Sequence, residues 1–251
     1  EEISTGSIRD QLSVNYCLDK NKIDYFKITE RPNSARNHPA LIFSSHSNKD
    51  ANDSARLFAD SIEIPNVKYS IIIPIYNAIE YAENCVQSVL ESSNLKEIEI
   101  ILINDNSEAA VTERVKQLAL LHNQTKLITN QSQLGYTKSI NKGASLAAGQ
   151  FLIFINSDTI VTRNWLDKIS ACFNSDKSIG CVGPLSNAAS WQSIPHVRDN
   201  NGFAINALPP NTTLEDFSAV VESLSTKQYP KVSVLNGFCL GIRNDVFHAV
   251  G

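Results

Sequence analysis

The stretch "YSIIIPIYN", residues 69–77, is a short and nearly continuous apolar run that ends in polar residues. Such a run is typical of a strand that is covered on both faces of a sheet. Three further segments predict strands of the same kind: "EIEIILIND" at 97–105, "KLIT" at 126–129 and "FLIFI" at 151–155. The sequence therefore predicts at least four buried strands, separated by longer segments.

The segments between these strands have helical periodicity. "AIEYAENCVQSVLES" (78–92) places its apolar residues on one helical face, and "AAVTERVKQLALL" (109–121) does the same with Val111, Val115, Leu118 and Leu121. "TKSINKGASLAAG" (137–149) predicts a helix with Gly149 as its C-terminal cap. This alternation predicts an α/β three-layer sandwich with a mainly parallel central sheet and right-handed crossovers.

Composition limits the class of protein. The chain has 251 residues, a formal net charge of −4 and no stripe of lysine and arginine, which disfavours a nucleic-acid binder. Its apolar runs fall well short of the ~20 residues that span a bilayer. The five cysteines are scattered without a CxxC pair, which fits a reducing compartment and predicts a cytoplasmic location.

The chain divides into two parts. Residues 1–66 are polar and irregular, and we expect an N-terminal extension or linker there; residues 67–251 are expected to form one domain. The sequence has no methionine and begins with Glu1, so we expect it to be a piece of a longer polypeptide.

Polar residues gather where the predicted strands end. In a parallel sheet the carboxyl ends of the strands meet at one edge, and ligands bind there. Strand-end Asp and Asn also cap helices, and that alternative stays open for Ser107 and Glu108. The candidates are Pro74, Tyr76 and Asn77 after the first strand, Asp105 after the second, and Asn156, Ser157 and Asp158 after the fourth.

Several other kinds of site lack their motifs. No GxGxxG follows the first strand, and no GxxxxGK[ST] is present, which disfavours dinucleotide and P-loop sites. There is no GxSxG elbow, and the histidines show no HExxH spacing.

Five blocks in order resemble the family 2 glycosyltransferases. The likeness covers residues 68–251, and the fourth block most resembles bacterial enzymes of surface polysaccharide synthesis, some of which use deoxysugar donors such as rhamnose. The resemblance implies a GT-A fold and transfer with inversion at the sugar carbon. The blocks are "SIIIPIYN", "IILINDNS", "LGYTKSINKGASLAAGQFLIFINSD", "GCVGPLSNAASWQSIP" and "LNGFCLGIRNDVF".

The resemblance also implies roles for individual residues. Pro74 and Tyr76 would shape a nucleoside pocket, and Asp105 would bind a uracil or thymine ring. Asn156, Ser157 and Asp158 match the Asp-x-Asp motif, in which the last carboxylate binds Mn²⁺ or Mg²⁺ on the donor diphosphate. Asn77 and Asn187 belong to the same donor-binding set, although a turn role is equally open for Asn187.

The implied substrates are a UDP- or dTDP-linked sugar and a glycan or lipid-linked glycan acceptor. A lipid-linked acceptor would place the enzyme peripherally at the inner face of the cell membrane. Trp191 is a candidate for acceptor contact, whereas helical spacing predicts a core position for Trp165.

The sequence departs from the family pattern at four points, one of which is Asn104 in place of an acid beside Asp105. Asn156 replaces an aspartate, and Ser139 stands where arginine is common, with Lys138 or Lys142 as candidate substitutes. In the family, the general base lies in an acidic motif after the "RNDVFHAVG" helix, so we expect it beyond Gly251. A non-catalytic nucleotide- or glycan-binding module on the same fold is therefore the alternative.

Overall fold

The computed structural model describes residues 67–250. The predicted N-terminal extension, residues 1–66, lies outside the described residues, as does Gly251. Among the residues that are described, no helix combines the length and apolarity needed to cross a bilayer.

One six-stranded sheet forms the centre of the domain, and a separate two-stranded hairpin accompanies it. The strands are β1 (Tyr69–Ile75), β2 (Ile98–Asn104), β3 (Thr125–Thr129), β4 (Phe151–Ile155), β5 (Cys181–Val182), β6 (Arg198–Asp199), β7 (Gly202–Phe203) and β8 (Cys239–Arg243), of which β6 and β7 form the hairpin. The strand order in the large sheet is β3-β2-β1-β4-β8-β5. The pairings β1–β2, β1–β4 and β2–β3 are parallel, whereas β8 runs antiparallel to both β4 and β5.

The helices connect the strands in the predicted alternation. A short 3₁₀ helix, Ser190–Gln192, lies in the long connection between β5 and β8. The α-helices are α1 (Ile79–Glu91), α2 (Ala109–Leu120), α3 (Tyr136–Ala144), α4 (Trp165–Ser175), α5 (Leu214–Leu224) and α6 (Asn244–Val250).

Apolar side chains cover both faces of the sheet. Ile71 and Ile73 of β1 belong to a cluster with residues of α1, α2 and α4. Ile72, which points to the opposite face, belongs to a second cluster with residues of α3 and α6. This alternation explains the continuous apolar runs, because neither face of the central strands is left to water. The predicted α/β fold with a mainly parallel central sheet is confirmed.

Two local predictions are wrong. Helix α3 ends at Ala144, so Gly149 is not its cap. Gly149 instead packs against β1, where a Cβ atom would lie 2.5 Å from the backbone nitrogen of Ser70. Leu121 does not join the buried stripe of α2: it follows the last helical residue, and 72% of its surface is exposed.

Strand direction determines which segments meet at one edge. Because β8 is antiparallel to both β4 and β5, strand β5 runs in the same direction as β4. The segment 183–238, which connects β5 to β8, therefore leaves and re-enters the sheet at the edge that holds the carboxyl ends of β1 to β4.

Candidate functional site

A cleft of about 680 Å³ opens at the carboxyl edge of the sheet. The structure thus brings together residues that are far apart in the sequence, as the parallel topology predicts. The predicted site residues that line the cleft are Pro74, Tyr76, Asp105, Asn156, Ser157 and Asp158.

The other two candidate residues are not among the lining residues of the cleft. Asn77 has a positive φ of 54° and ties two loops together: its backbone N–H donates to Ser107 Oγ (3.1 Å), and its Oδ1 accepts from the Glu108 N–H (2.9 Å). Asn187 is exposed, and its backbone oxygen accepts hydrogen bonds from the Asn206 backbone N–H and side chain. Both residues hold loop conformations by these contacts.

Asp105 is the buried carboxylate of the cleft. Its Oδ1 accepts from the Asn130 side chain (2.7 Å) and from the Leu134 N–H (2.8 Å), and its Oδ2 accepts from the Gly135 N–H (2.8 Å). Burial favours a raised pKa, but these donors outweigh it and hold the pKa of Asp105 below its usual range. The group is therefore an ionised carboxylate that can only accept hydrogen bonds from a ligand.

Asn130 connects Asp105 to helix α3. Its Nδ2 also donates to Ser139 Oγ (3.0 Å), and its Oδ1 accepts from Lys142 Nζ (2.9 Å). Burial lowers the pKa of Lys142, and the charge of Asp105 opposes that shift. Lys142 is one of the two candidate substitutes for the missing arginine. It lies close enough to Asp105 for the two charges to interact. The importance of Asn130 was not recognised from the sequence, where it is one of many asparagines.

The turn after β4 is fixed by its backbone. The Asn156 N–H donates to the Phe238 carbonyl (2.8 Å), and the Asn156 carbonyl accepts from the Thr159 N–H (3.2 Å) and the Cys85 thiol (3.5 Å). The side chain of Asp158 is exposed at this turn. These hydrogen bonds fix the backbone of the turn, and the Asp158 carboxylate is exposed to solvent in the cleft.

A divalent cation would find oxygen ligands at this turn. Carboxylate, amide and hydroxyl oxygens from Asp158, Asn156 and Ser157 are the hard donors that Mg²⁺ and Mn²⁺ accept. Within residues 67–250 no three His, Cys, Asp or Glu side chains come together to hold a metal ion. The residues fit a cation that takes most of its ligands from a bound substrate and from water.

Three tyrosines line the cleft, of which the sequence predicted one. Tyr76 and Tyr81 are 47% and 63% exposed, and the Tyr136 hydroxyl donates to the Gly237 carbonyl (3.0 Å). Tyr81 and Tyr136 lie in the first turns of α1 and α3, and the sequence did not single out either residue. Exposed rings beside an ionised acceptor suit a planar heterocycle that carries an N–H donor.

Two residues outside the cleft have structural roles, and that of Trp165 confirms the core position predicted from helical spacing. Trp165 is buried, and its Nε1 donates to Ser93 Oγ (3.0 Å), so it is a core residue. Asp216 forms a capping box with Thr213 at the start of α5.

Comparison with known proteins identifies the family. The sequence model described as "Glycosyl transferase family 2" matches residues 70–251. An uncharacterized glycosyltransferase of Haemophilus influenzae is 27% identical over 114 residues, which are 45% of this chain and 35% of the relative. Glycosyltransferase GlyG of Streptococcus pneumoniae is 29% identical over 100 residues, which are 40% of this chain and 33% of the relative. The chain thus spans about a third of the length of these curated relatives.

Among solved structures, the mannosyltransferase PcManGT from Pyrobaculum calidifontis in complex with GDP-Man and Mn²⁺ aligns with 79% of this chain and 52% of its own. The TM-score is 0.49 and the sequence identity is 13%.

Proposed function

The chain belongs to glycosyl transferase family 2, and we propose that it transfers a sugar from a nucleotide-diphosphate donor to a glycan or lipid-linked acceptor. The observation that carries the proposal is the cleft in which Tyr76, Asp105 and Asp158 converge from three strand ends. We further assign the product to bacterial surface polysaccharide synthesis.

Asp105 is the residue proposed to recognise the base of the donor nucleotide. Its carboxylate is ionised and can only accept, so it pairs with a ring N–H such as that of uracil or thymine. Pro74 and Tyr76 border the same part of the cleft and would flank the ring. This assignment predicts a UDP- or dTDP-linked donor.

Asp158 is the proposed metal ligand, with Asn156 and Ser157 beside it. Mn²⁺ or Mg²⁺, when bound there, would neutralise the charge of the leaving diphosphate. Because Asn156 is an amide in place of a carboxylate, this turn contributes one negative charge where an Asp-x-Asp turn contributes two. We therefore expect weaker binding of the free cation than of the cation together with the nucleotide.

Transfer with inversion needs a general base that takes the proton of the acceptor hydroxyl. Neither carboxylate of the cleft suits that role. Asp105 has a lowered pKa and already accepts three hydrogen bonds, and Asp158 is assigned to the cation.

The test is calorimetric titration with UDP in the presence and absence of Mn²⁺. We expect Asp158→Ala to remove the Mn²⁺-dependent part of the affinity and Asp105→Ala to abolish binding. Asp167→Ala, at an exposed position of α4 away from the cleft, is the matched control and should bind as the original protein does. Unchanged affinity in both cleft variants would reject the assignment.

The second candidate is a non-catalytic nucleotide- or glycan-binding module, which the amide at Asn156 favours. The two functions are separated by assaying the full-length natural protein with UDP-sugars for transfer and for slow donor hydrolysis. Release of UDP that depends on Asp158 supports the transferase. Tight UDP binding without any release supports the module.

A further inference from the structure

An exposed cluster of two aromatic rings and one guanidinium lies in the segment between β5 and β8. Trp191 and Phe203 meet edge to face, with ring centroids 5.1 Å apart, and they are 60% and 45% exposed. The Arg198 guanidinium carbon lies 5.0 Å from the Trp191 ring centroid and 5.1 Å from that of Phe203. These three residues are called the aromatic platform below.

We propose that the aromatic platform binds the acceptor, and that this acceptor is a glycan carrying a carboxylate or phosphate group. The proposal rests on the glycosyltransferase function proposed above and names the substrate class of its second site. It follows from the position of the platform, the connection of the platform to the cleft, and its chemistry.

The position follows from the topology. The segment 183–238 leaves the sheet after β5 and returns at β8, both on the edge where the cleft opens. Trp191, on the 3₁₀ helix, and the β6–β7 hairpin that carries Arg198 and Phe203 both belong to this segment.

Hydrogen bonds connect the platform to the wall of the cleft. Gln192, which follows Trp191, is buried; its Oε1 accepts from the Asn236 N–H (2.5 Å), and its Nε2 donates to the Pro184 carbonyl (2.6 Å). The next two residues after Asn236 accept from lining residues of the cleft: Gly237 from the Tyr136 hydroxyl, and Phe238 from the Asn156 N–H. The platform is thus held to the same framework that shapes the donor cleft.

The chemistry of the platform suits an acidic saccharide. Exposed aromatic rings offer apolar faces against which the C–H groups of a sugar ring can pack. The Arg198 guanidinium carbon lies within 5.1 Å of both ring centroids, so a carboxylate or phosphate that accepts hydrogen bonds from its N–H groups would lie beside the rings. Within residues 67–250, the ion pairs of the structure do not include Arg198.

The platform can be tested separately from the donor cleft. The full-length protein, fluorescently labelled, is applied to a printed array of bacterial glycans grouped as neutral, carboxylate-bearing and phosphate-bearing. We expect retention on acidic glycans to exceed that on neutral glycans at least fivefold, and the two acidic groups show which anion is preferred. Trp191→Ala and Arg198→Ala should each lose at least fivefold of that retention.

Leu224→Ala and Lys177→Ala replace an apolar and a cationic residue that are exposed elsewhere, and both should keep full retention. Thermal unfolding and UDP binding of the platform variants are measured in parallel and should match the original protein. The proposal is overturned if the array retains no protein, if neutral glycans are preferred, or if the platform variants lose stability but no glycan binding. If the original protein does not bind UDP but is still retained on acidic glycans, only the proposed transferase function is refuted.

Discussion

Asp105 and Asn130 form a buried pair in which the Asn130 amide donates to the Asp105 carboxylate over 2.7 Å. The two residues follow β2 and β3, which are neighbours in the sheet, and the Asn130 N–H also donates to the Asn104 carbonyl (2.9 Å). Asn130 therefore holds the carboxylate that is proposed to recognise the donor base in a fixed orientation. Its other hydrogen bonds connect this pair to α3.

Replacing Asp105 tests how much its hydrogen bonds stabilise the fold. In Asp105→Asn one carboxylate oxygen becomes an amide nitrogen, so the backbone N–H of Leu134 or of Gly135 loses its acceptor, which costs about 1–3 kcal/mol of unfolding free energy near neutral pH. Because the folded pKa is below the ordinary value of 3.8, the stabilisation is present above that value and is lost as pH falls through the folded pKa. Urea unfolding at pH 7 and at pH 3 should show the difference between the two proteins shrinking. Glu113→Gln, on the exposed surface, should change stability by less than about 0.5 kcal/mol at either pH.

Replacing Asn130 tests whether it positions Asp105. Asn130→Ala removes one donor from the carboxylate, so the pKa of Asp105 should rise toward its ordinary value. If the misplaced carboxylate contributes about 1.4 kcal/mol less to the binding free energy, UDP binding weakens about tenfold. The checks are carboxyl carbon NMR titration and calorimetry. The exposed neighbour Gln131→Ala is the matched control, and equal behaviour of the two variants would contradict the role.

Among the ion pairs within residues 67–250, the pair of Lys126 and the buried Glu99 should contribute most to stability. Glu99 is fully buried, and its Oε2 lies 2.8 Å from Lys126 Nζ. Ser70 Oγ and the Ala148 N–H donate to its Oε1. Lys126→Ala leaves a buried carboxylate without its counter-charge and should cost about 3 kcal/mol. Lys116→Ala, which breaks an exposed pair with Glu113, should cost less than about 1 kcal/mol by the same unfolding measurement.

Gly149 should not tolerate a side chain. A Cβ atom there would lie 2.5 Å from Ser70 N and 2.8 Å from the carbonyl carbon of Tyr69, and backbone atoms of a central strand cannot move aside. Gly149→Ala should therefore cost about 1–3 kcal/mol. At Gly143 a Cβ would meet methyl groups of Ile72 and Ile103 at 2.7 Å, and these side chains can adjust. Gly143→Ala should cost less than Gly149→Ala in denaturant unfolding, and the reverse order would be inconsistent with this packing.

The thiols behind the cleft should be inert in the folded protein. Burial raises the pKa of both Cys85 and Cys239 to about 12, so roughly one thiol in ten thousand is a thiolate at pH 8. Iodoacetamide labelling followed by peptide mass spectrometry should leave both cysteines unmodified until urea is added. Rapid labelling without urea would mean that α1 or β8 is displaced more readily than this packing allows.

The four parallel strands and the general position of the candidate site could be predicted from the sequence. Apolar runs and helical stripes identify the strands and helices because burial leaves a local periodic pattern. The carboxyl ends of parallel strands lie at the same edge of the sheet, whatever the conformation of the loops that follow them. For that reason Tyr76, Asp105 and Asp158 could be predicted to meet, although 53 residues separate the last two in the numbering.

The folded structure was needed to show which polar side chains line the cleft and which ones hold its loops in place. Asn77 and Asn187 match family motifs, yet their hydrogen bonds go to neighbouring loops, whereas Asn130, Tyr81 and Tyr136 had no signal beyond a residue type. Likewise, Trp191, Arg198 and Phe203 become one platform only when the chain folds back on itself. The physical reason is that local pattern records burial, while a hydrogen bond or ring contact depends on the direction of two side chains brought together by the whole fold.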